Sequence, residues 1–316
     1  MNTRTRLLYR LADGDWHAGP ELAREVGVSR AAVGKAMNAL EAMGLPVERE
    51  RRGYRIPPGA RPPRADAIVH ALPGAAQRRL LSLQTVYRTD STNSWLLRRR
   101  MAGEQAGSHV CIAAHQTAGR GRLGRSWDSP AGAGLYLSLS LGSAGAPAPA
   151  MPLAVASLVA EGIEALIPHA GIQLKWPNDL LLNGSKLGGI LMESRGEYGG
   201  RWQLVVGIGL NLAAPADDGR TSLSAEGFEP PTAAATAISL LERLLPGLPE
   251  AASDPRPWLA SWRQRDYYRG ADVRVLGPDG TSEGRAAGID DDGALCLETA
   301  VGTRRITGGD VSLREV

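Results

Sequence analysis

The segment Pro57-Pro58-Gly59-Ala60-Arg61-Pro62-Pro63 places four prolines in seven positions. Proline fixes φ and removes a backbone donor, so no helix interior or central strand passes through such a run. A semi-rigid linker and a domain boundary follow. The 316 residues then divide into a small N-terminal unit, 1–64 with its linker at 57–66, and a remainder long enough for a sizeable core.

Before the linker, Leu7, Leu8 and Leu11 share one face of a first helix that ends near Asp13-Gly14. Gly19-Pro20 opens a second helix, Glu21 to Val26, and Gly27-Val28 makes a tight turn. Ser29 is a good N-cap for a third helix, Arg30 to Met43, which Gly44 ends. Val33, Met37 and Leu40 fall on its buried face. Val47 to Arg55 reads as a basic hairpin carrying Arg49, Arg51, Arg52 and Arg55, with Gly53 near its turn or bulge. Helix, turn, helix and basic hairpin make a winged helix-turn-helix. The third helix would enter a major groove and the wing would touch phosphates. The candidate DNA contacts are Ser29, Arg30, Lys35, Asn38, Arg51 and Arg52. Residues 1–64 hold 12 basic side chains against 7 acidic ones, a larger surplus than the +3 of the whole chain. A helical interaction domain with a solvated basic face is the alternative. Gly34 argues for it, because it falls mid-helix at an expected groove-facing position, costs about 1 kcal/mol against alanine and reads no base.

After the linker, Leu80 to Arg88 reads as a strand. Asp90-Ser91-Thr92-Asn93 then caps a helix over Trp95–Met101, or floors a pocket with hydroxyls. The strand Val110 to Gln116 delivers Gly119-Arg-Gly-Arg-Leu-Gly-Arg-Ser-Trp127. Taken alone, such an Arg/Gly run is more often a solvated turn. It also fits a mobile cationic loop, since glycine permits close backbone approach and arginine presents forked donors to carboxylate and phosphate. Leu135, Leu137, Leu139 and Leu141 alternate with Tyr136, Ser138 and Ser140, a half-buried strand. Met151 to Ile167 is apolar all round, a buried helix. Lys175-Trp-Pro-Asn-Asp179 closes a strand from Ile172 that Leu180 to Leu182 continue. Asn183-Gly184 turns the chain back through Lys186-Leu-Gly-Gly-Ile-Leu-Met-Glu193. Lys175, Asp179 and Lys186 therefore come close together. Gly207 and Gly209 interrupt a further strand, Leu204 to Leu210, where backbone approaches a ligand or another chain.

Several chemistries drop out. Gly119-x-Gly121-x-x-Gly124 imitates a dinucleotide fingerprint, but no helix follows it. There is no P-loop, no Ser-His-Asp set and no metal-ligand spacing among the five histidines. Cys111 and Cys296 lie in separate expected strands, which suits a reducing cytoplasm rather than a disulfide framework. No apolar run approaches a membrane span. Only three of 36 basic residues are lysines, Lys35, Lys175 and Lys186. Where arginine is the default cation, a retained lysine hints at a need for a compact ammonium.

Taken in order, Asp90–Asn93, Gly119–Trp127, Lys175–Asp179 and Lys186–Leu191 resemble the motif set of the biotin–protein ligases. With the winged helix, the chain is similar to the bifunctional bacterial form that also represses the biotin operon. The resemblance implies an α+β chain: the winged helix, a class II synthetase-like mixed α/β catalytic domain at 68–269, and an SH3-like small β-barrel at 270–316. It implies biotin and ATP as substrates, Mg2+ as cofactor and biotinyl-5′-AMP as intermediate. Its partners would be the biotin carboxyl carrier protein of acetyl-CoA carboxylase, operator DNA of biotin genes and, with adenylate bound, a second copy. On the family's pattern Ser91, Thr92, Asn93, Gln116, Gly119, Arg120, Arg122, Lys186, Gly189 and Gly207 surround biotin. Arg122, Arg125, Trp127, Asn178, Asp179, Lys186 and Asn211 meet ATP or the adenylate, Asp179 also meeting the metal. Lys186, Arg122 and Arg120 carry the chemistry. Ala213 to Leu223 corresponds to a loop over the adenine, but here it is polar and acidic and lacks an apolar cover. The C-terminal strands, with tight turns at Gly277–Gly280 and Asp292-Gly293, fit the barrel.

Overall fold

Caps and turns organise the N-terminal unit in the computed structural model, which describes residues 3–42, 45–57, 63–99, 107–143, 146–196, 202–213, 219–277, 280–307 and 312–315. Helix α1 (Thr3–Arg10) passes into a single 3-10 turn that Gly14 ends at φ 80°. Helix α2 (Gly19–Val26) has Pro20 in its first turn and stops at Gly27, φ 71°. Ser29 caps α3 (Arg30–Glu41), its Oγ accepting the Ala32 N–H at 3.1 Å. Strands β1 (Glu48–Glu50) and β2 (Gly53–Arg55) form the wing. Met43, Gly44 and residues 58–62 of the proline linker lie outside the described residues.

Gly34 is half-buried on α3. A Cβ added there would lie 3.9 Å from Tyr54 Oη. Arg30, Lys35 and Asn38 on the same helix are exposed. The buried cluster of this unit, built on Leu7, Leu11, Leu22, Val33, Met37 and Leu40, also contains Tyr87 and Ala114 from beyond the linker.

Helices α4 (Ala65–Ala71) and α5 (Gly74–Gln77) precede strand β3 (Leu80–Thr89). Helix α6 (Thr92–Leu97), β4 (Ser108–Gln116), β5 (Gly134–Ser143) and α7 (Met151–Leu166) follow. Then come β6 (Gln173–Lys175), β7 (Asp179–Leu182), β8 (Ser185–Gly196) and β9 (Trp202–Asn211). Helices α8 (Ala233–Ser253) and α9 (Arg256–Gln264) complete the region. The seven strands order as β3-β4-β5-β9-β8-β7-β6, with β3 and β4 parallel and every other neighbour antiparallel.

Three expectations change here. Strand β5 is buried on both faces, not one: Tyr136 is 1%, Ser138 0% and Ser140 1% exposed. Its leucines join the core with α7 and α8, and α6 packs over β4, β5 and β9. Period-2 alternation distinguishes two faces without saying that either meets water. Helix α6 begins at Thr92 rather than Trp95, and Ser91 at its N-cap makes no side-chain capping bond. Lys175–Asp179 does not continue a strand. The chain reverses through Trp176-Pro177-Asn178, with a cis peptide at Trp176-Pro177, and Lys175 pairs with Asp179 across the turn.

Strands β10 (Asp272–Gly277), β11 (Gly280–Ile289), β12 (Leu295–Thr299), β13 (Gly302–Ile306) and β14 (Ser312–Glu315) make a five-stranded antiparallel sheet in the order β13-β12-β11-β10-β14. Val273, Val275, Leu295 and Leu297 belong to the same buried cluster as the central sheet and helices. Trp176 Nε1 donates to Gly293 O at 3.0 Å, so the turn between β11 and β12 braces the reversal that joins β6 to β7.

Asp266, between α9 and β10, gives a pH-dependent prediction. Its Oδ1 accepts the Tyr268 N–H at 3.2 Å, while Oδ2 is buried without a partner. Burial pushes its carboxyl from 3.8 up to about 6. The folded chain therefore binds this proton more tightly than the unfolded chain. Stability falls as pH rises between those values, and the penalty is complete above the folded value. Asp266→Asn should raise stability by about 3 kcal/mol at pH 8 and change it little at pH 4. Denaturant melts at both pH values measure this; an equal change at both contradicts it.

Candidate active site

A cavity of about 580 Å³ opens between the α6 end of the sheet, the Gly/Arg loop and the Lys175–Asp179 reversal. The sheet strands bring together residues far apart in sequence. Ser91, Thr92, Asn93 and Gln116 line one end; Arg122, Arg125, Asn178, Asp179, Lys186 and Asn211 line the other. Arg120, Trp127, Gly189 and Gly207 complete the wall.

The polar floor is held by a hydrogen-bonded chain. Gln116 Oε1 accepts from the Thr92 N–H at 2.8 Å and Oγ1 at 3.1 Å. Gln116 Nε2 donates to Ser129 Oγ at 2.8 Å. Ser138 Oγ lies 2.6 Å from both Thr92 Oγ1 and Asn93 Oδ1. Asn93 fits because residue 207 is glycine: a Cβ there would stand 2.3 Å from Asn93 Oδ1. Ser91, Thr92 and Asn93 are nearly inaccessible, at 3–4%. Buried polar groups fixed this way present a preset pattern to a neutral polar ligand. Asp90 turns away, paired with Arg98 at 2.5 Å, whose guanidinium holds its carboxyl well below the usual range.

The Gly/Arg loop is a small hairpin. Gly121 N–H donates to Arg125 O at 2.7 Å, and Trp127 N–H to Gly119 O at 2.9 Å. Leu123 and Gly124 turn its tip at φ 63° and 73°. Leucine rarely adopts that conformation, so the tip holds local strain. Gly119 is the one expected ligand residue that does not line the cavity. A Cβ there would meet Trp127 O at 2.3 Å and Ser129 Oγ at 2.8 Å, so this glycine lets the loop fold back on itself. Arg122 reaches across the cavity to Asn178 Oδ1 at 3.1 Å. Asn178 in turn donates to Ile190 O at 3.0 Å.

Lys186 Nζ pairs with Asp179 Oδ1 at 2.7 Å and lies 5.7 Å from the Trp127 ring centre. Trp127 packs on Gly209, where a Cβ would come within 2.6 Å of the indole. Asn211 donates to Thr221 O at 3.0 Å. Arginines and a lysine thus gather at one end of a cavity whose other end is neutral and polar, an arrangement suited to a ligand with a polar head and an anionic tail. Among the described residues no three His, Cys, Asp or Glu side chains cluster to hold a metal. Asp179 and Asp128 do line the cavity. Such a site fits a divalent ion carried in on phosphates rather than one caged by protein.

Sequence reasoning missed Ser138, Ser129, Glu193 and Arg220. Ser138 and Ser129 lie under the floor, Glu193 bonds Arg120 and Asn93, and Arg220 lines the cavity. Lys175, quoted above only within its motif, lines it too.

On the winged helix, Arg30, Lys35 and Arg51 are exposed, and their side chains make no hydrogen bond or ion pair among the described residues. The other expected contacts are already engaged. Ser29 caps α3, and Asn38 Oδ1 accepts from Arg49 at 2.7 Å. Arg52 pairs with Glu50 at 2.9 Å and stacks 4.2 Å from the Trp16 ring centre, beside Arg55.

Three family models match the chain: an HTH domain over 3–55, the Biotin/lipoate A/B protein ligase family over 85–211, and the biotin protein ligase C terminal domain over 270–314. The Bifunctional ligase/repressor BirA of Escherichia coli (strain K12) is 34% identical over 319 residues, covering 98% of this chain and 96% of that protein. A biotin--[acetyl-CoA-carboxylase] ligase of Mycobacterium tuberculosis is 38% identical over 238 residues, 72% of this chain and 88% of that one. The solved biotin protein ligase from Aquifex aeolicus in complex with biotin and ATP matches at a TM-score of 0.63 and 27% identity, over 76% of this chain and 100% of that chain. The chain belongs to the biotin protein ligase family, with the helix-turn-helix domain of its bifunctional ligase/repressor members.

Proposed function

We propose that the chain joins biotin to ATP, giving biotinyl-5′-AMP and pyrophosphate, and then transfers biotin to a lysine of the biotin carboxyl carrier protein of acetyl-CoA carboxylase. The cavity carries this reading: a preset neutral floor at one end and clustered cations at the other. Ser91, Thr92, Asn93 and Gln116 would hold the ureido head, with Gly189 and Gly207 as close backbone walls. Arg120, Arg122 and Lys186 would gather the biotin carboxylate and the α-phosphate, two anions that repel unless fixed positive charge surrounds them. The carboxylate oxygen attacks phosphorus and pyrophosphate leaves; the carrier's lysine amine then attacks the acyl carbon and AMP leaves. Neither step needs a nucleophile from the protein. Arg125, Trp127, Asn178, Asp179 and Asn211 would meet the nucleotide. Asp179 would hold Mg2+ against its phosphates, where the ion offsets charge on the leaving group. Gly119 supports the loop from behind.

Incubation with biotin, magnesium-ATP and a carrier domain, followed by intact mass, tests the enzyme reading. A gain of one biotin on the carrier is expected, and an unchanged mass rejects it. Lipoate in place of biotin distinguishes the sister activity that the family model's name includes.

The exposed Arg30, Lys35 and Arg51 favour a second role, in a protein that would work in the cytoplasm. With biotinyl-5′-AMP bound, the chain would dimerise and repress biotin genes through its winged helix. A gel shift on the chain's own biotin-gene promoter should need biotin and ATP together. Binding that ignores both ligands removes the corepressor, and absence of binding under all conditions leaves a ligase whose winged helix has lost DNA.

A further inference from the structure

A site built to gather two anions carries, just behind its wall, a carboxylate of its own. Glu193 lies on β8 with a side chain 25% exposed. It does not line the cavity, yet its Oε2 accepts from Arg120 Nη2 at 2.6 Å and from Asn93 Nδ2 at 2.8 Å. One oxygen therefore ties the Gly/Arg loop to the start of α6. Asn93 is itself fixed, by Leu191 O at 3.2 Å, by Ser138 and by the absence of a side chain at Gly207. Arg120 has no such anchorage. It stands between Gly119 and Gly121 on the loop and its side chain is 40% exposed. A long cation flanked by glycines samples many geometries unless an acceptor selects one.

From this we infer that Glu193 is a positioning residue for Arg120: it fixes where the guanidinium stands in the cavity wall, between the floor and the cationic end, against the ligand's carboxylate. The inference rests on the biotin reading above. It concerns one end of the ligand, so its signature is a split between substrates. The nucleotide end, with Arg122, Asn178, Asp179 and Lys186, has its own hydrogen bonds and owes nothing to Glu193.

The test is a double-mutant cycle on the full chain, with biotin binding by calorimetry and KM for each substrate. Glu193→Gln keeps the side chain's size, and should weaken biotin binding by roughly tenfold, the scale of one charge-assisted hydrogen bond. KM for ATP should stay within about twofold, and Glu193→Gln should add nothing once Arg120 is alanine. An undiminished effect in the Arg120→Ala background overturns the inference. So does an equal change in both KM values, or tighter biotin binding, which would make Glu193 a competitor for Arg120. Should Glu193→Gln not fold, Glu193→Asp keeps the charge but draws it back from Arg120, with the same outcomes. A wild-type chain that binds no biotin defeats the functional reading and this inference with it; normal wild-type binding unaltered by Glu193→Gln defeats this inference alone.

Discussion

Alanine at Lys186 should slow adenylate formation by on the order of 10²–10³, the usual loss when a fixed donor to developing charge is removed. Two features of the site enlarge the effect. Lys186 sits at the junction of the cationic end and the Trp127 wall, 5.7 Å from that ring's centre. Its partner Asp179 is 2.7 Å away, and both side chains are half-buried. Alanine leaves that carboxylate without its ammonium beside the incoming anions, adding repulsion to the lost attraction. Biotin binding should fall far less, because the floor of Thr92, Asn93 and Gln116 is held by bonds that do not involve Lys186. Single-turnover formation of biotinyl-5′-AMP measures the step directly. A near-native rate would reject the role given to Lys186.

The lysine also shows how much the sequence could say. In a chain whose default cation is arginine, Lys175 and Lys186 both line the cavity and Lys35 is exposed on α3. Scarce asparagine behaves alike, with Asn93, Asn178 and Asn211 in the wall. Motif order was legible because glycine, proline and paired charges punctuate the chain locally. What escaped depends on neighbours remote in sequence. Ser138 looks like a solvent-facing position until α6 covers it. Glu193 is an ordinary strand-end acid until β8 carries it beside Asn93, 100 residues away. The reversal at Trp176-Pro177-Asn178 escaped for another reason: strand-like residues on each side, Ile172 to Lys175 and Leu180 to Leu182, outweighed a turn signal that proline and asparagine did supply.

Glycine at Arg122 should release the adenylate instead of stopping its synthesis. Arg122 bonds across the cavity to Asn178 Oδ1 at 3.1 Å. Asn178 is pinned to Ile190 O at 3.0 Å, so the contact fastens the loop to the opposite wall. Glycine removes the tie and a cation, and adds backbone freedom beside a tip already strained at Leu123, φ 63°. Losing charge-assisted bonds of about 1.5–3 kcal/mol corresponds to release faster by roughly 10- to 100-fold. Synthesis continues because Lys186 and Arg120 remain. The freed mixed anhydride acylates whatever amine it meets, so lysines of bystander proteins should acquire biotin in proportion to their exposure. Streptavidin blots of a mixture containing albumin, together with adenylate retention on a desalting column, read both consequences. Retention equal to wild type, with albumin unlabelled, would show that closure of this cavity does not depend on Arg122, and that the Arg122–Asn178 contact is not its latch.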